Sequence, residues 1–511
     1  LLGELGEIVD EHVPRKTLLE ALRPAIDTAS PRVRACAAWS LGRIGGDDAF
    51  AQAVELAKSD ADPRVRFVAL QSAARLRSAE DDSAFRLFAD RATYDTDVQV
   101  REEACVQLGR KGVAGAVPTL RKSVERALDD KQGAEWTVGA AALVSMGKTR
   151  APDAVDFLVE TSSKAKDWKL RGAAVVGLGH VRDVRALPVL IDALGSKDPH
   201  IRTAAFEFLR RLVPEARLGA KQADWKSWWE KNGSGFAFRD REEELRKAKK
   251  YGYSPDMTGV YEGLDVVVFQ SRGDKIEALL AQLGIDHRLT RSGQVADAGL
   301  HPLAIFVSNC TGEITPKDVE PLQWFLHVGG HLFGSCWALH ETIEDVAPGV
   351  VRKFQTKQEV LANVLAEPCR PGSPFLDGVF LPLVRPVYVL YGAHIIEVLD
   401  PERAEVLMDS PWTEERFGAG NLVAWFSVGH GVVLDSANHF ELQGFERADG
   451  LKSPEDRMGH ALDHLGLTWE EFRKIPGPAW KSAQDAGKEA KDLSCFRFIT
   501  NFVREKRKAQ E

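Results

Sequence analysis

Gly329-Gly330-His331-Leu332-Phe333-Gly334-Ser335-Cys336-Trp337-Ala338 decides how the second half of this 511-residue chain is read. The two glycines close a helical pattern from Pro316 to Val328, which Thr315 caps and Pro316 opens at its first position. A short apolar run then leads into Gly334-Ser335-Cys336-Trp337-Ala338, and a further helical pattern starts at Ala338. Small residues on both sides of Cys336 permit a tight strand-to-helix turn. Such a turn exposes a nucleophile at a sheet edge, offers neighbouring amides to an oxyanion and sets the thiol at a helix N-terminus.

Working outward, Leu264 to Phe269 reads as a strand, Lys275 to Leu283 as a helix and Leu303 to Val307 as a buried strand. Tyr388 to Leu390, Ile395 to Leu399, Leu422 to Phe426 and Val432 to Leu434 supply further strands. Short apolar runs alternating with helices predict an open α/β sheet, parallel and covered on both faces, with its site beyond the carboxyl ends of the strands. His439 and Glu441 fall just after the last of these runs, His439 lying 103 residues beyond Cys336. A thiol needs a base and the base an orienter, so Cys336, His439 and Glu441 are the candidate catalytic set. Amides near Trp337 and in the loop Ser308, Asn309, Cys310, Thr311 and Gly312 are the candidate oxyanion or pocket groups, and His340 can add a polar group there.

Ile305 to Gly312, the following helix, Phe325 to Gly334, and Leu422 to Val433 with its Gly429-His430-Gly431 together resemble the trehalose-utilisation (ThuA-like) branch of the class I glutamine amidotransferase-like superfamily. The resemblance covers about residues 262 to 445 and implies a flavodoxin-like open sheet. It places Cys336 at the elbow of the amidotransferase cysteine, where the trehalose-utilisation group more often has histidine. It also places His439 and Glu441 on the amidotransferase His-x-Glu pair. Ala338 and His340 stand where amidotransferases have glycine and glutamine, and Phe440 replaces the usual proline, so glutamine hydrolysis does not carry over.

The first half follows another rule. An apolar residue followed by arginine recurs at Val33-Arg34, Val65-Arg66, Val100-Arg101, Leu170-Arg171 and Ile201-Arg202, with Thr137-Val138 in the intervening place. The spacings run from 31 to 37 residues, and most markers lead into an Ala-rich stretch that ends near Leu-Gly. Asp62-Pro63 and Asp198-Pro199 put a capping residue and a first-turn proline at two of these helices. A helical pair of this size cannot bury its apolar face alone, and stacking supplies the core. The pattern resembles HEAT-like repeats, about six copies over residues 1 to 213. Trp225, Trp228 and Trp229, on one face of a following helix, are expected to cap the stack. The repeated arginines either grip an acidic partner or brace the turn before each helix, and their regularity favours bracing.

The chain is thus read as a HEAT-like solenoid with its tryptophan cap (1–232), a charged linker (233–261), a ThuA-like α/β domain (262–445) and a C-terminal helical extension (446–511). In the extension, Phe496, Ile499, Phe502 and Val503 form the apolar face of a final helix from Leu493 to Lys506. That helix is expected to dock on the α/β domain or on the solenoid.

Composition narrows the function. With 67 basic against 75 acidic residues the net charge is −8, which gives no global attraction for nucleic acid or an anionic membrane. No run of eighteen apolar residues occurs, so no membrane span is expected. The six cysteines contain no Cys-x-x-Cys pair and form neither a disulfide framework nor a zinc knuckle. Gly418-Ala419-Gly420 lacks the rest of either nucleotide fingerprint, so no cofactor is assigned. His460 and His464 lie four apart on a helix, but no third metal ligand is evident, and no metal is assigned. The chain opens at Leu1 without methionine, so an export signal could have preceded it, and the compartment stays open between cytoplasmic and exported. Two functions remain. In one, the protein is a cysteine-dependent hydrolase or amidase for a small-molecule or peptide carbonyl substrate, with a protein partner on the solenoid. In the other, it is a non-catalytic binding or scaffold protein whose α/β domain recognises a ligand or partner.

Overall fold

The computed structural model describes residues 14–238, 264–271, 273–282, 285–357, 360–377, 379–380, 387–439 and 498–506. The chain divides into two compact units, the first ending at Phe238 and the second beginning at Arg239. The first is all-helical, and the second is built on a mixed sheet.

The helices of the first unit are α1 (Arg15–Ile26), α2 (Pro31–Ile44), α3 (Asp47–Ser59), α4 (Pro63–Leu76), α5 (Asp82–Tyr94), α6 (Val98–Gly109) and α7 (Val117–Asp129). They continue as α8 (Trp136–Thr149), α9 (Pro152–Lys164), α10 (Trp168–Val181), α11 (Ala186–Ala193), α12 (Pro199–Leu212) and α13 (Gln222–Asn232). Every repeated marker lies in an even-numbered helix, and consecutive even helices pack on one another from α2 to α12. Asp62 and Asp198 cap α4 and α12 as expected, each accepting backbone N–H groups of the first turn.

The glycines at the ends of these helices set the packing distance. A Cβ on Gly147 would lie 2.1 Å from the carbonyl oxygen of Gly177, and one on Gly109 would lie 2.5 Å from Ser145 Cβ. Ser145 Oγ also donates to the Cys105 carbonyl at 2.7 Å, tying α8 to α6.

The arginines are consumed in architecture. Arg34 donates to the Thr28 and Ala29 carbonyls and, bidentately, to Asp60. Arg66 donates to the Asp60 and Ala61 carbonyls and to both oxygens of Asp95, at 2.7 and 2.9 Å. Arg101 takes the Asp95 carbonyl and Glu135. Arg171 and Arg202 repeat the grip on carbonyls five and six residues earlier. Each arginine therefore satisfies the turn before its own helix, and the first three also cross to an acid of the next repeat.

At the end of the array Trp225 is buried and donates its indole N–H to the Gly219 carbonyl at 2.8 Å. Trp228 and Trp229 are only partly covered and gather around Phe236.

In the second unit the strands are β1 (Val266–Phe269), β2 (Arg288–Thr290), β3 (Ile305–Ser308), β4 (His331–Ser335), β5 (Val351–Lys353) and β6 (Leu361–Leu365). They continue as β7 (Glu367–Pro368), β8 (Val387–Tyr391), β9 (Ile396–Val398), β10 (Glu405–Asp409), β11 (Asn421–Val428) and β12 (Gly431–Ser436). Eight of them form one sheet in the order β2-β1-β3-β4-β12-β11-β10-β7. The first five are mutually parallel, whereas the pairings β12 with β11, β11 with β10 and β10 with β7 are antiparallel. The all-parallel expectation is corrected there. β11 reaches β12 through a tight turn with Gly429 at φ +54°, and such a connection makes only antiparallel neighbours. The runs at Tyr388 and Ile395 also leave the main sheet and pair separately, β8 with β6 and β9 with β5.

Alternation fills both faces of the sheet. Val266, Val268, Ile305, Val307, Phe333 and Leu434 point into one core, and Val267, Phe269, Phe306, Leu332 and Val433 into the other. Leu322, Phe325 and Leu326 of α15 (Pro316–His327) cover the second face, and α14 (Ile276–Gln282) contributes Ile276 and Leu280 to the first. Helical residues 498–506 dock on that first face through Phe498, Ile499, Phe502 and Val503. Lys506 at their end is buried and donates to the Pro302 and Gly329 carbonyls. The last helix therefore belongs to the sheet unit, while Phe496, the charge run of the linker, Glu441, His460 and His464 lie outside the described residues.

Burial alone would raise the Asp95 carboxyl, but Arg66, the Asp97 amide and Arg91 hold it below its ordinary value. The unfolded chain takes up that proton near pH 3.9, above the folded value, so the contribution is complete above that pH and is lost as pH falls through the folded value. Asp95→Ala, which strands buried Arg66, is expected to cost about 3 kcal/mol at pH 7 in denaturant unfolding. The difference from the parent should shrink below about pH 4.

Candidate functional site

Three neighbouring parallel strands, β3, β4 and β12, bring their carboxyl ends to one edge. Ser308 pairs with Gly334, and continuing that register by two residues sets Cys310 beside Cys336. Ser436 pairs with Ser335, and His439 follows three residues later. The Cys310 Sγ, the Cys336 Sγ and a ring nitrogen of His439 all lie within 4.8 Å of one another.

Cys336 adopts φ +52°, a left-handed conformation that non-glycine residues rarely take and that gathers at functional sites. Its N–H donates to the Ser436 carbonyl at 2.7 Å, and the His340 and Glu341 amides close the next turn on the Trp337 carbonyl. The helical stretch Leu339–Ile343 follows. This is the elbow expected from Gly334-Ser335-Cys336-Trp337-Ala338. Gly334 is needed beside it, because a Cβ there would lie 2.5 Å from Asp435 Oδ1.

The expected exposure of the thiol is corrected. Cys336 is 0% exposed, Cys310 3% and His439 4%. The Trp337 indole N–H donates to the Gly392 carbonyl at 2.7 Å, and the same carbonyl lies 3.9 Å from Cys336 Sγ. His394 stacks on Trp337 with ring centroids 4.4 Å apart. Residues 392–394 and Trp337 thus form a cover.

Charge is distributed unevenly under that cover. The neighbouring Cys336 side chain holds the Cys310 sulfur down to about 5 against its burial, helped by His439 and the Trp337 amide. Burial and the facing Cys310 push Cys336 well up. The two shifts run in opposite directions, down at Cys310 and up at Cys336. Asp435 is buried, and burial, opposed by the Ser436 amide and reinforced by Cys310, pushes it well above the carboxylate range. Burial, Lys353 and His340 lower His394 to about 3, leaving a neutral ring. Two sulfurs and an imidazole are donor types that suit Zn²⁺, although no fourth donor joins them among the described residues.

The remaining expected groups are placed as follows. Ser308 Oγ lies 2.8 Å from Thr342 Oγ1, which donates to the Gly312 carbonyl. Asn309 donates to Glu277 at 2.8 Å. The Cys310 amide donates to Ser335 Oγ, so it is already engaged rather than free for an oxyanion. Thr311 is exposed. His340 is exposed as well, lies 3.3 Å from Glu344 and sets its ring edge-on to His394 with centroids 6.1 Å apart. Sequence reading missed the lowered Cys310 sulfur, the acid Asp435 and the His394 ring stacked on Trp337. An aspartate following the apolar run Val432-Val433-Leu434 was the available signal for the second of these.

A family described as HEAT repeats matches residues 2–74 and 162–220. The helical unit carries HEAT repeats. No curated protein matches the chain. Among solved structures it is similar to a cytoplasmic protein from Salmonella typhimurium, with 12% identity and a TM-score of 0.28 over 47% of this chain and 98% of that one. It is similar to a ThuA-like protein from Bacteroides uniformis, with 11% identity and a TM-score of 0.25 over 38% and 86%. A β-galactosidase from Rahnella sp. gives 13% identity and a TM-score of 0.24 over 35% of this chain and 29% of the enzyme. None of these similarities is close enough to transfer a fold or an activity. No helix among the described residues is long and apolar enough to cross a membrane.

The acid beside the sulfurs sets a pH dependence. Unfolded, Asp435 loses its proton near pH 3.9; folded, it keeps it to a much higher pH, so its contribution is present below that pH and declines as pH rises toward the folded value. Asp435→Asn is expected to match the parent near pH 4 and to gain on it by up to about 1.4 kcal/mol per pH unit above. Unfolding curves at several pH values, compared between the two proteins, check this.

Proposed function

We propose that the sheet unit is a cysteine-dependent hydrolase or amidase for a carbonyl substrate, on a flavodoxin-like, ThuA-like frame, and that the HEAT unit recruits a protein partner. The convergence of Cys310, Cys336 and His439 at the carboxyl edge of three parallel strands carries this reading. The low Cys310 sulfur makes that atom the nucleophile, with Cys336 as its proton donor, in place of the Cys336 nucleophile read from the elbow. In this mechanism the Cys310 thiolate attacks the carbonyl, and the thiol of Cys336 protonates the leaving amine or alkoxide. His439 then takes a proton from the water that releases the acyl group and returns it to the Cys336 sulfur. Glu441 is kept as the orienter of His439. Entry of a substrate requires the Trp337 and Gly392–His394 cover to move, and the Trp337 indole bond to Gly392 is the contact that must break.

The complete burial of Cys336 favours the second reading, a binding module without turnover. Thiol reactivity separates the two. Under the hydrolase reading, iodoacetamide at pH 6 to 7 labels Cys310 at least about tenfold faster than the partly exposed Cys36 and Cys369, and His439→Ala slows it. Peptide mapping that finds Cys310 no faster than Cys36, with no change in His439→Ala, leaves the binding module.

A further inference from the structure

The two sulfurs at this edge have a relation that acyl transfer does not require. Cys310 and Cys336 are 26 residues apart, and the β3 to β4 register is offset by the same amount, Ile305 facing His331 and Ser308 facing Gly334. Neighbouring strands run about 4.8 Å apart, inside the Cα separation that a disulfide spans. The sulfurs lie within 4.8 Å of each other, and neither is in a disulfide. The Cys310 amide bond to Ser335 Oγ shows that the strand ends stay together past the last ladder pair. Cys36 and Cys105 belong to the other unit, while Cys369 sits against Asp409 at the far edge of the sheet.

We infer that Cys310 and Cys336 are a peroxide-responsive dithiol that closes to a reversible disulfide across the ends of β3 and β4. Hydrogen peroxide is the oxidant. The Cys310 thiolate attacks one peroxide oxygen, the S–O bond forms as the O–O bond breaks, and hydroxide leaves and takes a proton from the medium as water. The Cys336 sulfur then attacks the resulting sulfenic sulfur. The S–S bond forms as the S–O bond breaks, and the departing hydroxide leaves as water with the Cys336 proton. Two thiols and one peroxide give one disulfide and two waters. A dithiol reductant reverses it.

A resolving thiol beside the sulfenic acid outruns further oxidation, and peroxide reaches the pair by the same movement of the Trp337 and Gly392 cover that a substrate needs. The inference shares with the proposed function the premise that Cys310 is the reactive sulfur.

The test uses the full chain, treated with hydrogen peroxide, blocked with an alkylating agent and digested with trypsin without reduction. Lys317 and Arg352 place Cys310 and Cys336 in separate peptides, 292–317 and 318–352. The expected product is that pair joined, lighter by two hydrogens, with two of the six thiols lost and both restored by dithiothreitol. Cys336→Ser should instead accumulate sulfenic acid on Cys310, trapped by dimedone. Recovery of Cys310 as sulfinic acid with Cys336 still alkylated overturns the inference, as does a linkage to any other cysteine. Both of those readouts come from the parent protein, so they hold even if Cys336→Ser folds poorly. Fast labelling of Cys310 without a disulfide would sink only the dithiol, whereas a disulfide in a protein that forms no acyl-enzyme would sink only the hydrolase.

Discussion

The register between parallel strands is the constraint on which the second unit depends. Once Ile305 faces His331 and Val432 faces His331 from the other side, every residue beyond the strand ends has a fixed neighbour. Backbone hydrogen bonds set that register, and the alternation of Val266, Ile305, Phe333 and Leu434 with Val267, Phe306, Leu332 and Val433 locks it. A slip of one residue would turn both cores inside out. The juxtaposition of two thiols and an imidazole is thus a by-product of sheet pairing, and it needs no contact among the three groups to assemble it.

The same edge shows how burial redistributes protons. Four ionisable groups sit under one cover, and water cannot solvate charge on all of them. The shifts favour charge on Cys310, beside a thiol, an imidazole and an amide, and disfavour it on Asp435 and Cys336. Gly334 makes this crowding possible by leaving the volume that Asp435 occupies.

The first unit solves a different problem by relay. Asp60 accepts Arg34 on its carboxylate and Arg66 on its carbonyl, and Asp95 does the same for Arg66 and Arg101. The buried guanidinium groups are therefore paired at both ends, which offsets their desolvation, and each link spans two repeats. Stacking of helix on helix and this polar ladder together explain why the repeat tolerates spacings from 31 to 37 residues: the loops vary while the markers stay in line.

Much of this was legible in the chain. Periodic arginines, Ala-rich helices and terminal glycines determined the helical array, because local periodicity and close packing act over a few residues. Likewise Gly334-Ser335-Cys336-Trp337-Ala338 determined an elbow, and Phe502-Val503 an apolar face that had to be covered. Only the tertiary structure decided that β11, β10 and β7 join through antiparallel pairings, that the final helix covers the sheet, that Trp337 and Gly392 seal the thiol, and that Cys310 lies beside Cys336 and His439. Those outcomes turn on which distant segments share a ladder and how much water remains between them, and no local pattern of residues encodes either.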